Sequence, residues 1–346
     1  MQVGKDVLTD DGKIILIEGT ILTNNSIEGL KCWDIPSIFI REKVISPSKI
    51  IEVPVEIPTP ISKSQQEFNN KYDATISTIK KTFETTRYFK EAPLKEMKEL
   101  ADHCLFPMLD SIGVINYLHM VHHTDDYTFH HSANVAVICG VLGKWLGYTG
   151  VHLMELVLAG LLHDIGKTQI PLAILDKPAA LSKEEMDIMQ KHTTLGYKLI
   201  KDSKDLSPNI INAVLQHHER MDGSGYPLGI VADKLHQYAR IIAVADTYDA
   251  MTSDRVYHQK STPFVVVKTM VGEMFNKLDP RICTVFLNNV RSYFIGNIIK
   301  LSDGRRAKVV YLGQSVETRP TVRTQNGEFI DLEKHKDIAI IELMEA

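Results

Sequence analysis

Cysteine is scarce in this chain. Cys32, Cys104, Cys139 and Cys283 are its four cysteines in 346 residues, and no two of them form a CxxC pair. That spacing excludes zinc-ribbon and thioredoxin-type readings. Scattered thiols with mostly apolar neighbours suit a reducing cytosol better than an oxidising compartment. A basic excess is also missing: 39 Lys and Arg stand against 43 Asp and Glu, a formal net charge of −4. A protein that coats nucleic-acid polymers is therefore disfavoured. No apolar run is long enough for a bilayer. The longest, VHLMELVLAGLL (151–162), carries Glu155 and falls well short of the roughly 20 residues a spanning helix needs. Residues 1–10 lack the apolar core of a secretory leader. A cytoplasmic protein that does not engage a membrane is the expectation.

What is present is a globular composition, 44% hydrophobic and 24% charged, arranged unevenly. Residues 1–60 read as a β-rich region, with IILIEGTIL (14–22), SIFI (37–40) and IIEVPVEI (50–57) as strand candidates. Pro54, Pro58 and Pro60 argue for edges or connections there. Residues 61–115 read as a helical connector, with Ile76, Ile79 and Phe83 at helical spacing and Pro107 placed to kink or interrupt it. From 116 to 291 helical stripes follow one another, over 128–147, 151–165, 183–202, 208–218, 235–252, 263–276 and 280–291. Ser182 with Glu184 and Glu185 marks a helix start, and Gly147 and Gly166 mark stops. After 292 the period changes to short strands, 298–301, 307–312, 321–323 and 338–341, separated by Asp303-Gly304 and Asn326-Gly327. The fold class is mainly α: a helical core with a small β-rich N-terminal region and a small β C-terminal extension, 292–346.

Ten of the fourteen histidines fall between His119 and His218. Four patches carry them beside acids: YTFHHS (127–132), LLHDIGK (161–167), KH (191–192) and QHHERMDGSGYP (216–227). A single helical histidine is ordinarily a satisfied core or surface residue. His163-Asp164 is different, because two ionisable residues directly follow the apolar LVLAGLL, and buried charges need a partner or a metal. His217-His218 follows an apolar helical stripe, and Asp246 ends the apolar run IIAVAD. One shared metal site accounts for all three. Imidazole and carboxylate ligands without thiolate suit Fe, Mn, Zn or Ni. Five histidines and two aspartates exceed a single tetrahedral zinc, so a binuclear centre bridged by an aspartate is the economical assignment. Two ions roughly 3.5–4 Å apart favour in-line attack at phosphorus and lower a water's pKa toward roughly 7.

In these motifs the sequence resembles the HD phosphohydrolase superfamily, and HHERMDGSGYP (217–227) resembles the HHExxDGxGYP signature of its HD-GYP members. YTFHHS, LLHDIGK, KHTTLGYKLI (191–200) and ARIIAVADTYDAMTSDRVY (239–257) follow in that family's order, across residues 116–291. The resemblance implies an HD-type helical bundle core and metal ligands His131, His163, Asp164, His192, His217, His218 and Asp246, with Asp164 bridging. His131 rather than His130 holds the family's position. Asp164 and Lys167 would be the catalytic pair. Lys167, Arg255 and Tyr226 would meet the substrate, and Gly225, Tyr226 and Pro227 would shape a loop beside it. A solvated lysine at a helix end and a surface arginine are the plainer readings of Lys167 and Arg255.

The resemblance further implies two divalent ions, Fe or Mn first. The implied substrate is cyclic di-GMP, cleaved to pGpG and, in some members, on to GMP. Cyclic GMP-AMP is an alternative substrate, and a non-catalytic cyclic-dinucleotide sensor is the alternative from another class. A diguanylate cyclase domain at the GYP loop and a homodimer are implied partners. Two positions depart from the family pattern. Tyr127 stands four residues before His131, where members with a third metal have Glu. The family's DRPY reads Asp254-Arg255-Val256-Tyr257.

Overall fold

In a computed structural model, residues 63–110, 114–120, 127–253, 262–313 and 319–344 are described, with residues 2–3, 7–8, 14–16, 38 and 40–41 of the N-terminal region. The expected strand over 50–57, together with Asp125, Asp126 and Arg255, lies outside the described residues. The chain divides into two compact units, Met1–Val55 and Glu56–Ala346. In the first, β1 (Gln2–Val3) pairs antiparallel with β4 (Ile40–Arg41), and β2 (Val7–Leu8) with β3 (Ile14–Leu16).

The second unit is mainly helical. It opens with α1 (Lys63–Phe89). Phe68, Tyr72, Ile76, Ile79 and Phe83 recur every three or four residues, so they fall on one stripe, and all are buried. After α2 (Leu94–Leu100) the chain widens into a π-helical turn, Ala101–Leu105, and resumes as Phe106–Met108. Pro107 cannot donate to the preceding turn, and the chain answers with this wider register rather than a break.

Two helices form the centre of the unit. α3 (Tyr127–Trp145) is buried from His130 through Gly143, and α4 (Gly150–Leu162) from Leu156 through Leu162. Gly147 stops α3 at φ +85°. Gly166, expected as a second stop, has another role. A Cβ there would lie 1.9 Å from the His192 carbonyl oxygen, so the glycine admits close contact with the helix bearing His192. The helix α4 instead ends at His163, and a 3-10 turn, Ile165–Gln169, follows.

The stretch expected as one helix over 183–202 is two, α5 (Lys183–Met189) and α6 (His192–Ile200). The first begins with Ser182 and Glu185 in a reciprocal capping box. α7 (Pro208–Gln216), α8 (Gln237–Thr252), α9 (Pro263–Glu273) and α10 (Pro280–Val290) complete the bundle. The tail is a five-stranded antiparallel sheet in the order β8-β7-β6-β5-β9. Its strands are β5 (Ile298–Leu301), β6 (Arg306–Tyr311), β7 (Thr321–Thr324), β8 (Phe329–Asp331) and β9 (Ile340–Met344). The strand β8 was not anticipated. It places one buried apolar residue, Ile330, between neighbours that are not, too short a pattern to show a period of two. Among the described residues no helix is long and apolar enough to cross a membrane.

Candidate metal centre

Three histidines enter the centre from helix ends by the same device. His163, at the end of α4, sets Nδ1 2.7 Å from the Gly160 carbonyl oxygen. His217, at the end of α7, sets Nδ1 2.8 Å from that of Val214. His192, just past α5, sets Nδ1 2.8 Å from that of Met189. The last carbonyls of a helix have no partner within it, and these imidazoles supply one. A carbonyl only accepts, so Nδ1 carries the proton in all three rings. Each Nε2 is then left as a lone pair facing inward. The break between α5 and α6 frees the Met189 carbonyl for this role.

The inward nitrogens converge on Asp164. Its Oδ2 lies 3.3 Å from His163 Nε2 and 3.6 Å from His131 Nε2. Its Oδ1 lies 3.3 Å from His192 Nε2 and 3.9 Å from His217 Nε2. Two groups result, one of His131, His163 and Asp164, the other of Asp164, His192, His217 and His218. Asp246, on α8, stands beside both, with Oδ1 3.2 Å from His131 Nε2 and Oδ2 3.7 Å from His218 Nδ1. All seven residues expected as ligands are therefore brought together, each side chain at least four-fifths buried.

The electrostatics favour a cation here. Asp164 Oδ1 is buried and has no hydrogen-bond partner, a condition that costs about 1–3 kcal/mol or more for a charged group. His192 and His217 present Nε2 to Nε2 at 3.2 Å with no proton between them. Burial drives the pKa of His192 down to about 4. Burial and neighbouring imidazoles hold His217 well below its ordinary value. His218 is also held low, by burial first. Burial alone would raise Asp164 and Asp246, but Lys167 and His163 around the first, and His131 and His218 around the second, hold both well below the carboxylate range. The site thus sets carboxylates against neutral imidazole lone pairs, with helix C-termini pointing inward, which suits divalent cations. His131 is the exception. Burial lowers its pKa, yet hydrogen bonds to Asp246 and Asp249 outweigh this and raise it to about 9, so a proton is held where a cation would otherwise sit.

The HD domain family matches residues 118–282. The chain belongs to the HD domain family. Among curated relatives, the cyclic di-GMP phosphodiesterase PA4108 of Pseudomonas aeruginosa is 35% identical over 187 residues, 54% of this chain and 45% of that protein. The cyclic di-GMP phosphodiesterase PdeB of Borreliella burgdorferi is 26% identical over 338 residues, 96% of this chain and 88% of its own length. The 3'3'-cGAMP-specific phosphodiesterase 1 of Vibrio cholerae is 35% identical over 49% of this chain and 39% of its own. The chain thus spans less than half the length of two of these three relatives. Among solved structures, Bd1817, a HDG"Y"P protein from Bdellovibrio bacteriovorus, shares the fold with a TM-score of 0.55 at 18% identity, over 84% of this chain and 95% of that one.

In this HD domain Lys167 sits in the 3-10 turn, its Nζ 2.5 Å from Asp164 Oδ2 and its side chain 19% exposed. Tyr226 is half-buried and tilts against His218, with ring centroids 4.7 Å apart. Burial and the nearby Asp164 and Asp246 raise its phenol. Gly225 is needed for contact: a Cβ would fall 2.4 Å from the His218 carbonyl oxygen. Tyr127 stacks on the His131 ring at 5.4 Å.

Other residues of the site were not anticipated. Asp249 Oδ2 accepts from His131 Nδ1 at 2.7 Å, and its Oδ1 accepts from Asn134 Nδ2 at 2.8 Å. Its signal was present, since Asp246 and Asp249 lie three apart on one helix face. Glu219 is buried beside the histidine pair and accepts from the Leu228 and Ile230 amides at 2.6 and 3.2 Å, which pins the GYP loop. No spacing rule would have shown that.

Proposed function

We propose that this chain is a metal-dependent cyclic di-GMP phosphodiesterase that yields pGpG and, on further turnover, GMP. The observation that supports this reading is Asp164, whose two oxygens face two separate histidine groups and one of which is buried without a partner. His131, His163 and Asp164 would hold one divalent ion, and Asp164, His192, His217 and His218 the other, with Asp246 serving both. Fe and Mn fit this donor set first. Bound ions of this kind supply Lewis acidity at phosphorus and activate water near neutral pH. The chain's own residues do the rest. Asp164 fixes the two halves of the site relative to each other. The Lys167 ammonium, now on Asp164, would turn to a phosphoryl oxygen and stabilise its developing charge. Tyr226 offers an aromatic face at the rim beside His218. Arg255 is proposed as a second phosphate contact. The protein would act in the cytoplasm, where its substrate class is made.

The cyclic GMP-AMP reading draws support from the Vibrio relatives named for that substrate. The GYP loop, with Leu228 and Val231 exposed beside it, is proposed as the contact for a diguanylate cyclase domain. One experiment separates the main readings. The chain is purified anaerobically, its metals are counted, and turnover of both cyclic dinucleotides is followed by chromatography. About two metals per chain with pGpG or GMP as product is the expected result. Preferential turnover of cyclic GMP-AMP would move the assignment to that substrate. Binding of either without turnover, in a metal-replete chain, would make it a sensor.

A further inference from the structure

The connector helix α1 reaches the site at two points. Near its start, the buried Tyr72 donates its hydroxyl to Asn134 Oδ1 at 2.6 Å. With that proton committed, the hydroxyl oxygen accepts from His130 Nδ1 at 3.2 Å. The bond fixes which way the Asn134 amide faces. Its NH2 then points to Asp249 Oδ1 at 2.8 Å, and Asp249 Oδ2 holds His131 Nδ1 at 2.7 Å. If the amide turned over, its oxygen would face the Asp249 carboxylate, and two acceptors would oppose each other. About 22 Å further along the helix, at about 1.5 Å per residue, Arg87 donates to the carbonyls of Ile170 at 2.8 Å and Lys167 at 3.2 Å. Gln169 Nε2 returns a bond to the Thr86 carbonyl at 3.3 Å. This second contact holds the turn that carries Lys167.

We infer that α1 is a positioning element of the site: Tyr72 orients the Asp249–His131 pair, and Arg87 orients the Lys167 turn. The inference rests on the metal-dependent phosphodiesterase reading for its consequence, though not for its test. Neither residue is placed to touch an ion or a phosphate. Because one continuous helix carries both, shifting α1 along or about its axis changes the metal-holding and phosphate-facing parts together. The chain before α1 therefore has a covalent route by which to act on the site.

Two double-mutant cycles test this on the full chain, with melting temperatures recorded for every variant. In the first, Mn2+ affinity is measured by competition with a chelator for Tyr72→Phe, Asp249→Asn and both together. Outer-shell partners of metal ligands are worth roughly 10–100-fold in affinity, so Asp249→Asn should weaken binding by about that much and Tyr72→Phe by less. The double variant should be no weaker than Asp249→Asn alone. In the second, binding of inorganic phosphate to the Mn2+-loaded chain is measured for Arg87→Ala, Lys167→Ala and both. Each single variant should weaken phosphate, Arg87→Lys should recover part of the loss, and the double should match Lys167→Ala. A purely architectural role predicts additive losses that track the melting temperature. Additivity in either cycle, or a Tyr72→Phe or Arg87→Ala variant with wild-type binding, overturns the corresponding half. Neither readout needs turnover, so a chain that hydrolyses no cyclic dinucleotide fails the functional reading and leaves this test intact.

Discussion

At Asp164 two requirements meet in one side chain. Its carboxylate must stay charged while fully buried, and it must serve histidines on both sides. Lys167 and the imidazoles hold its pKa well below the usual range, and its orphaned Oδ1 leaves a position for a cation. Asp164→Ala should therefore remove bound metal and lower turnover on the order of a thousandfold or more, the size of several kcal/mol of charge stabilisation. Metal analysis beside a rate assay checks this, and full activity at normal metal content would refute the shared-carboxylate arrangement. Lys167 is different in kind. Its ammonium touches Asp164 but holds no ion. Lys167→Ala should lower kcat by about 10²–10³-fold, the typical loss of one charge-stabilising donor, and leave metal content nearly unchanged. Equal loss of metal would show that its work is to hold Asp164.

Among the helices, the site is assembled from ends rather than middles. α4 and α7 stop where their histidines cap them, and α8 supplies Asp246 and Asp249 from one face. What holds these helices in register includes Glu155 of α4. Its Oε2 accepts from Asn209 of α7 and from the Tyr238 hydroxyl of α8, each at 3.1 Å. Burial raises the Glu155 pKa, but these hydrogen bonds and one from Ser207 outweigh it and lower it below 4.5. A carboxylate with a depressed folded pKa stabilises above its unfolded pKa and loses that contribution as pH falls through the folded value. Glu155→Gln should cost about 1 kcal/mol at pH 7, and the difference from wild type should vanish as pH falls through and below the ordinary carboxylate range. Denaturant unfolding at pH 7 and in acid reads this directly, and a difference that persisted in acid would count against it.

For the molecule as a whole, the bundle is stabilised by its apolar interior, and the metal centre is set into it as an unsatisfied polar cluster. Metal bound by the folded chain and not by the unfolded one stabilises by mass action, about 2.7 kcal/mol at a hundredfold excess over Kd. For a unit of this size that is a shift of about 5 °C or more. Chelation should lower the melting temperature by that amount, and readdition of Mn2+ should restore it. An unchanged melting temperature after verified metal removal would mean that the cluster is held by protein contacts alone.

The helical core and the histidine-aspartate site could be read from the residues because both depend on local pattern. Stripes at helical spacing lie on one face wherever the helix goes, and His163-Asp164 after LVLAGLL is a charge problem in any fold. The boundaries that failed were set by distant contacts. Gly166 is not a stop because α6 presses against it, and the stretch 183–202 divides where His192 takes the Met189 carbonyl. Composition and spacing thus determined the class of fold, the donor set and the kind of ion it suits. Only the tertiary structure decided that Asp249, Asn134 and Tyr72 stand in line behind His131, that Glu219 pins the GYP loop, and that Arg87 holds the Lys167 turn. These residues lie far apart in the chain, from 58 to 118 positions for the line behind His131. No one-dimensional period records a hydrogen bond made across helices.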